Sequence, residues 1–381
     1  MTPRRANHEG SIYQRNADGR WMGVAHLGYD EAGKQLRRYV SAKTRTEVVR
    51  KLKQLRRKFD DGLLLKADGV KVAELIERWF NDAMRHQIAP STFANYQTVV
   101  RMHILPSIGT KRLVDLTVSD VDRLLSLKAD SGLSTSTVRR IRAVLAQCLD
   151  QAIRWEFVAR NVATLSRSPK SIRKEGRTLS PEQAHHLLEV LKGHRNEALY
   201  ALMLSTGLRR GEALGLLWKD FDREAGVLRV ARQLKREGTH LVTTDTKTAK
   251  SRRAVNLPEP MQLALLEHEK RQVDERKTLG DSWIETGYIF TSSIGTPIDP
   301  RNLYREFQGI CRKADIGDWH PHELRHSAAS LMLAQGVKIQ VVSQVLGHAS
   351  IRMTADVYGH LLEPDRKEAA EAMGAMLWSE D

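Results

Sequence analysis

Residues 322–326 read His322-Glu323-Leu324-Arg325-His326, and they are the most informative stretch of the sequence. Taken alone, they match His-Glu-x-x-His, a helical pattern whose two histidines bind zinc in metalloproteases. Taken with Leu346-Gly347-His348 and Tyr358 further on, they contain His-x-x-Arg, which puts an imidazole and a guanidinium on one helix face, as a phosphate site requires. The two interpretations imply different chemistry, and the rest of the sequence distinguishes them.

The composition is that of a folded protein with a surplus of positive charge. The chain has 381 residues, enough for two or three domains, and its 41% hydrophobic and 28% charged residues argue against a disordered chain. Lys and Arg number 61 against 46 Asp and Glu, a net charge of +15. Solubility alone does not require positive charge, so the surplus favours a polyanionic partner such as nucleic acid.

Cysteine usage and hydropathy predict a cytoplasmic protein without a membrane partner. Cys148 and Cys311 have no neighbour at metal-ligand spacing, so we expect two reduced, buried thiols. The sequence has no run of about 18 apolar residues that could span a membrane, and residues 1–20 lack the apolar core of a signal peptide.

The sequence predicts a multidomain α+β protein with three parts. Residues 1–62 contain three short strand candidates and a helix from about Thr46 to Phe59, a small basic module that could bind DNA. Residues 68–165 are predicted to be a helical domain, with Ser119 as the N-cap of its third helix and its longest helix beginning near Ser136. Residues 175–381 are predicted to be a mixed, mainly α domain with a small antiparallel sheet.

Four segments of the third part carry polar residues in defined local settings. Arg209 stands at a helix start after Gly207, and Glu212 could orient its guanidinium, although a surface Arg–Glu pair is the simpler explanation. Lys247 lies between two strand-like runs, as at a hairpin tip, where a nonspecific DNA contact is the more common role. The other two segments supply the pair His322 and Arg325, and then His348 and Tyr358 on two successive short helices.

Together these segments resemble the tyrosine recombinase (phage integrase) family. That family's signature is an Arg in T-G-L-R-x-x-E, a hairpin Lys, H-x-x-R, L-G-H and a Tyr about ten residues later. This chain has the corresponding residues in the same order, namely Arg209, Lys247, His322, Arg325, His348 and Tyr358. The resemblance covers the whole third part. For the first two parts it rests on size and order, and implies an arm-binding module and a helical, SAM-like core-binding domain.

The resemblance implies a site-specific recombinase, or integrase, that cuts and rejoins DNA through a 3′-phosphotyrosyl intermediate. Tyr358 would be the nucleophile, and Arg209 and Arg325 would hold the nonbridging phosphate oxygens. His322 would assist proton transfer at the tyrosine side, and His348 would donate to a phosphate oxygen. Lys247 would protonate the 5′-oxygen, with Lys250 as the reserve candidate. Nearby arginines would favour the phenolate as it forms, so neither metal nor ATP is expected.

The resemblance also implies partners. These are double-stranded DNA with core-type and arm-type sites, a homotetramer on that DNA, and a host bending protein and a directionality factor as accessories. The expected location is the bacterial cytoplasm, associated with the nucleoid when DNA is bound. The tail after Tyr358 would dock on a neighbouring copy or on its own domain through apolar residues, namely Leu361, Leu362, Ala370, Met373 and Leu377.

Three other functions fit parts of the sequence. A zinc metalloprotease would have Arg325, a permanent cation, between its ligands, and would leave Arg209, Lys247 and Tyr358 unexplained. A binding-only regulator would not need all six residues. A type IB topoisomerase would share the phosphotyrosine chemistry but would relax one duplex. With the recombinase interpretation favoured, Glu323 becomes a bystander and His326 a structural histidine.

Overall fold

The computed structural model describes residues 11–29, 35–60, 69–85, 87–170, 176–245, 252–348, 350–358, 373–375 and 377–378. The chain divides into two compact units, Met1–Arg173 and Lys174–Asp381. Lys247 and Lys250, and the predicted tail residues Leu361, Leu362 and Ala370, lie outside the described residues. Met373 and Leu377 are described, and both side chains are exposed.

The first unit begins with a three-stranded antiparallel sheet and one helix. The strands are β1 (Ser11–Gln14), β2 (Trp21–Tyr29) and β3 (Gln35–Ala42), in that spatial order, and α1 (Arg45–Asp60) follows. Val48 of α1 is fully buried, and α1 packs mainly on β2. The predicted sheet and helix are thus confirmed.

The rest of the first unit is helical. Its helices are α2 (Val72–Arg78), α3 (Pro90–Val99), α4 (Leu105–Ile108), α5 (Val118–Asp130), α6 (Thr135–Arg154) and α7 (Val162–Leu165). One of the expected helix starts was wrong. Thr117, not Ser119, caps α5, because its hydroxyl accepts the Asp120 N–H at 3.2 Å while the Asp120 carboxylate accepts the Thr117 N–H at 2.9 Å. Helix α6 begins at Thr135, with Ser134 as its N-cap, in agreement with the predicted start near Ser136.

The second unit is mainly helical. Its helices are α8 (Pro181–Leu191), α9 (Glu197–Thr206), α10 (Arg210–Leu214), α11 (Glu259–Leu279), α12 (Pro300–Lys313), α13 (Pro321–Ala334), α14 (Ile339–Leu346) and α15 (Ile351–Tyr358). Helix α9 is mostly apolar and buried, and it packs against α11 and α13. It therefore lies at the centre of the core of the second unit.

Two small antiparallel sheets belong to the second unit. One contains β4 (Phe221–Asp222), β5 (Val227–Val230) and β8 (Arg253–Asn256), in that order, and the other contains β6 (Arg232–Glu237) and β7 (His240–Asp245). The hairpin in the described chain is β6–β7, while β7 and β8, which flank Lys247, pair with different strands. The expectation that these two strands form a hairpin with Lys247 at its tip was therefore wrong. A strand-like run on each side of a loop does not specify the pairing partner.

Two further features bear on the earlier expectations. Cys148 and Cys311 are both buried and free, as predicted. Among the described helices, none is both long enough and apolar enough to cross a membrane.

Candidate active site

The site forms around the turn that ends α9. Gly207 closes this helix in the left-handed conformation, with φ of 64°. A Cβ at this position would lie 2.4 Å from Cδ2 of Leu346, so a larger residue would push α14 away. The carbonyl of Gly207 accepts a hydrogen bond of 2.8 Å from Nη1 of Arg325. The turn at Gly207 therefore contacts both α14, through Leu346, and the guanidinium of Arg325 on α13.

Arg209 is fixed two residues later, at the start of α10. The Glu212 carboxylate accepts the backbone N–H of Arg209 at 3.1 Å and its Nη1 at 2.7 Å. The Arg209 side chain is 35% exposed, whereas Glu212 is only 3% exposed. The pair is therefore not the ordinary surface pair that the sequence allowed. The buried carboxylate holds a guanidinium whose outer face reaches solvent.

A second arginine, whose side chain is only 8% exposed, shares this carboxylate. Nη2 of Arg253 donates to Glu212 at 2.9 Å, and its Nε donates to the carbonyl of Val345 at 2.7 Å. Burial alone would raise the pKa of Glu212, but the charges and hydrogen bonds of Arg253 and Arg209 lower it below its ordinary value. Glu212 thus stays ionised and links β8, α10 and the C-terminal end of α14.

Replacing Glu212 by Ala is expected to destabilise the protein by about 3–5 kcal/mol, because the buried Arg253 would lose its charged partner. The urea unfolding transition of the whole chain measures this. Glu189→Ala is the matched control, since Glu189 pairs with Lys192 at the surface and its loss should cost about 0.5 kcal/mol or less. Equal midpoints for the two variants would contradict the buried role.

Arg325 is the most buried cation of the site. Its residue is 3% exposed, and Nη2 has no hydrogen-bond partner within the described chain. Burial and the charges of Arg209 and Arg253 lower the pKa of Arg325 to about 9, with Glu212 acting in the opposite direction, so the group is still charged at neutral pH. A buried cation with an unused N–H is costly unless an anion occupies the adjacent space.

Two histidines flank the arginines in their neutral form. Partial burial and surrounding positive charges lower the pKa of His322 and that of His348 to about 4 each. Nδ1 of His348 lies 2.7 Å from the hydroxyl of Thr354, a fully buried residue of α15. This contact fixes the ring plane of His348, so that Nε2 is the nitrogen on its opposite edge.

Tyr358 lies at the end of α15 and is 3% exposed. Its ring packs with a small apolar cluster of α13 and α14, namely Ala329, Leu333, Val342 and Leu346. Burial raises the pKa of Tyr358 to about 12, although the charge of Arg325 acts in the opposite direction. Arg325 therefore favours the phenolate as expected, but burial has the larger effect. The hydroxyl is protonated at neutral pH.

The tyrosine hydroxyl contacts His326. Its Oη lies 2.6 Å from Nδ1 of His326, and the two ring centroids are 5.9 Å apart. The interpretation of His326 as a purely structural residue missed this contact. It joins residues 32 positions apart, so it depends on how α15 packs on α13.

The structure brings five of the six expected residues into one region, namely Arg209, His322, Arg325, His348 and Tyr358. Their mutual influence on pKa values reflects this proximity. The sixth, Lys247, and its reserve Lys250 lie outside the described residues. Sequence reasoning assigned no role to Arg253 or Thr354. The inward position of Arg253 could have been predicted from the alternation of side chains along β8. Residues 253 and 255 share a strand face, and Val255 is buried.

Glu323 is engaged at the start of α13. Its carboxylate pairs with Arg177 at 3.1 Å and accepts the backbone N–H of His320 at 2.7 Å, so it caps α13. Within the described part of the chain, no group of three or more His, Cys, Asp or Glu side chains is arranged to hold a metal ion.

Sequence comparisons give the family to which the chain is similar. The model of the phage integrase family matches residues 177–364, and that of the phage integrase N-terminal SAM-like domain matches residues 71–126. An integrase of Streptomyces ambofaciens is 32% identical over 98% of this chain and 97% of its own. A XerC-like tyrosine recombinase of Caldanaerobacter subterraneus subsp. tengcongensis is 30% identical over 95% of this chain and 97% of its own.

Solved structures share the fold. The Tn1549 transposon integrase in complex with transposon right end DNA has a TM-score of 0.69 at 20% identity, over 81% of this chain and 100% of that one. A lambda integrase dimer bound to a COC′ core site has a TM-score of 0.57 at 19% identity, over 93% of this chain and 96% of that one.

The fold and the relatives define an enzyme that breaks and rejoins DNA strands. The chain belongs to the phage integrase family of tyrosine recombinases. It is a site-specific recombinase of the kind that integrates mobile elements, and the multidomain α+β prediction is confirmed. Residues 322–326 lie in the region that the phage integrase model matches, so the family membership excludes the disfavoured metalloprotease alternative.

Proposed function

We propose that this chain binds double-stranded DNA and attacks one phosphodiester with the hydroxyl of Tyr358, forming a 3′-phosphotyrosyl bond and a free 5′-hydroxyl. One observation carries the proposal. Nη2 of Arg325 is buried, charged and unpartnered among the described residues, and Tyr358 is close enough for that charge to act on its hydroxyl. A phosphate would supply the missing acceptor next to the nucleophile.

Each residue at the phosphate has a separate task in this proposal. Arg209 and Arg325 hold the nonbridging oxygens as two guanidinium forks, and each such contact is worth about 10²–10³ in rate. His348, held through Nδ1 by Thr354, donates from Nε2 to a phosphate oxygen. His322, neutral at working pH, completes the surface around the phosphate. The phosphotyrosyl ester stores the bond energy, so a 5′-hydroxyl reseals it without ATP, and no metal is assigned to the site.

Lys247 is proposed as the acid that protonates the departing 5′-oxygen. Lys247→Ala is expected to slow cleavage of an ordinary site about 10²–10³-fold. The same variant should cleave a site with sulfur at the 5′-bridging position at nearly the wild-type rate, because a thiol, with an ordinary pKa of about 8.5, leaves without an acid. Lys250→Ala is the matched control. The reverse pattern would assign the acid to Lys250.

The partners follow from the charge and the relatives. We assign residues 1–62 to arm-type sites, residues 68–165 to core-type sites and residues 175–381 to catalysis, with a homotetramer as the active assembly. A lambda integrase tetramer bound to a Holliday junction shares the fold, with a TM-score of 0.56 at 18% identity. The proposal also includes a host bending protein and a directionality factor. In addition, the exposed Met373 and Leu377 are proposed to dock on a neighbouring copy.

The test begins with the DNA on which the chain acts. Sequencing the junctions between the element that encodes this chain and host DNA gives candidate sites. Purified protein is then mixed with a supercoiled plasmid that carries paired junction sites. Strand exchange between the sites supports an integrase, relaxation without exchange indicates a topoisomerase, and binding without either indicates a silent regulator. Loss of activity with a chelator would contradict metal-free catalysis.

A further inference from the structure

We infer that His326 is a catalytic residue that accepts the proton of the Tyr358 hydroxyl as the tyrosine attacks the phosphate. The inference rests on the proposed function and deepens it. It assigns a chemical task to a side chain outside the six motif residues. It also places the proton acceptor four positions beyond His322, the residue from which the family resemblance expects help at the tyrosine.

Geometry carries this inference. Nδ1 of His326 lies 2.6 Å from Oη of Tyr358, which is hydrogen-bond distance for a proton acceptor and its acid. Two neighbours lie beside the ring. His322 packs on it nearly edge to face, with centroids 5.2 Å apart, and Gly176 is so near that a Cβ added there would lie 3.2 Å from Cγ of His326. The imidazole thus contacts both His322 and the nucleophile.

The nucleophile needs such an acceptor. Tyr358 is buried and protonated at neutral pH, so attack requires that its proton leave as the oxygen–phosphorus bond forms. Burial and the charge of Arg325 lower the pKa of His326, while Glu323 acts in the opposite direction. His326 is therefore neutral at pH 7 and has a lone pair to offer. Among the described residues, His322 of the same helix contacts the ring, and His348 is close enough for the charge of His326 to act on it.

In the proposed step, every bond that breaks is matched by a bond that forms. His326 carries its hydrogen on Nε2 while Nδ1 accepts from the tyrosine. As the Tyr358 O–H bond breaks, an N–H bond forms at Nδ1 and the ring becomes an imidazolium. The tyrosine oxygen bonds to phosphorus, the bond from phosphorus to the 5′-oxygen breaks, and that oxygen takes a proton from the proposed acid, Lys247. On rejoining, the imidazolium returns its proton to the departing tyrosine oxygen.

Two variants separate proton transfer from mere support. His326→Asn puts an amide oxygen near the position of Nδ1, so it still accepts the hydrogen bond and positions Tyr358, but it takes no proton at working pH. His326→Ala removes both functions. The probe is a nicked duplex built from the junction site, on which cleavage traps the covalent complex, and the readout is the single-turnover rate at saturating protein.

For a proton acceptor, we expect both variants to cleave about 10²–10³-fold more slowly than wild type at pH 7, with DNA affinity within about threefold. The cleavage rates of both variants should rise about tenfold per pH unit between about pH 7 and 9. Hydroxide then takes the proton in place of the missing base, and the raised pKa of Tyr358 keeps its hydroxyl protonated over this range. The charges facing this tyrosine and its partner, Arg325 and Glu323, are unchanged. Added imidazole should accelerate His326→Ala but not His326→Asn.

Other results overturn the inference. A wild-type rate in His326→Asn with a loss only in His326→Ala would show that His326 positions the tyrosine without taking its proton. Wild-type rates in both variants would show that the contact is dispensable. Failure of the proposed function looks different, because then the wild-type protein itself traps no covalent complex on the duplex. If His326→Asn unfolds, imidazole acceleration of His326→Ala still decides; if His326→Ala unfolds, the cleavage rate of His326→Asn relative to wild type decides.

Discussion

Tyr358→Phe is expected to abolish the covalent protein–DNA complex and to leave DNA affinity within about twofold of wild type. Loss of a nucleophile costs on the order of 10⁶ in rate, which is below detection in a gel assay. Affinity should persist because the hydroxyl lies buried against His326, whereas most of the affinity of a basic protein comes from contacts to many phosphates. Denaturing gels with the nicked junction duplex measure the complex.

A control for Tyr358→Phe must also remove a buried hydroxyl. Tyr358→Phe leaves Nδ1 of His326 without its donor, which lowers the free energy of unfolding by about 1–3 kcal/mol. Tyr200→Phe removes another buried hydroxyl, which contacts Leu303 and Glu306 at 3.3 Å, and it should keep the covalent complex. A complex that survives in Tyr358→Phe would move the nucleophile to another residue.

The features of this site that depend on residues close together in the sequence could be predicted from the sequence. Gly207 before Arg209 predicts a left-handed helix end followed by a new helix, and both are present. His322 and Arg325 are three apart on one helix, so their common face follows from helical geometry. The approach of these groups to His348 and Tyr358 came from the order of motifs and their family resemblance, because helical periodicity alone does not place one helix on another.

Contacts between residues that are far apart in the sequence could not be predicted in the same way. The sequence places His326 and Tyr358 on separate helices, and only the packing of α15 on α13 brings their polar atoms to 2.6 Å. Glu212 looked like half of a surface pair, and its burial depends on Arg253 arriving from β8. The partner of each strand beside Lys247 also depended on the whole fold, since β7 and β8 have different neighbours.

Arg325→Lys is expected to slow single-turnover cleavage about 10²–10³-fold while weakening DNA binding less than about tenfold. Lysine keeps the charge but has a single nitrogen. That nitrogen cannot hold the carbonyl of Gly207, as Nη1 does, and also present a second donor to the phosphate, the role that we propose for the unpartnered Nη2. The loss should fall on the cleavage step because charge on the nonbridging oxygens grows in the transition state, whereas ground-state binding is shared among many phosphates.

Arg195→Lys is the matched control for this change. Arg195 is another partly buried guanidinium of the second unit that donates to backbone carbonyls and pairs with Glu275, but it has no place in the proposed site. It should lose stability like Arg325→Lys and keep the cleavage rate of the folded fraction. Equal losses of affinity and rate in Arg325→Lys would contradict a transition-state role, because a group that binds substrate and transition state equally changes affinity alone.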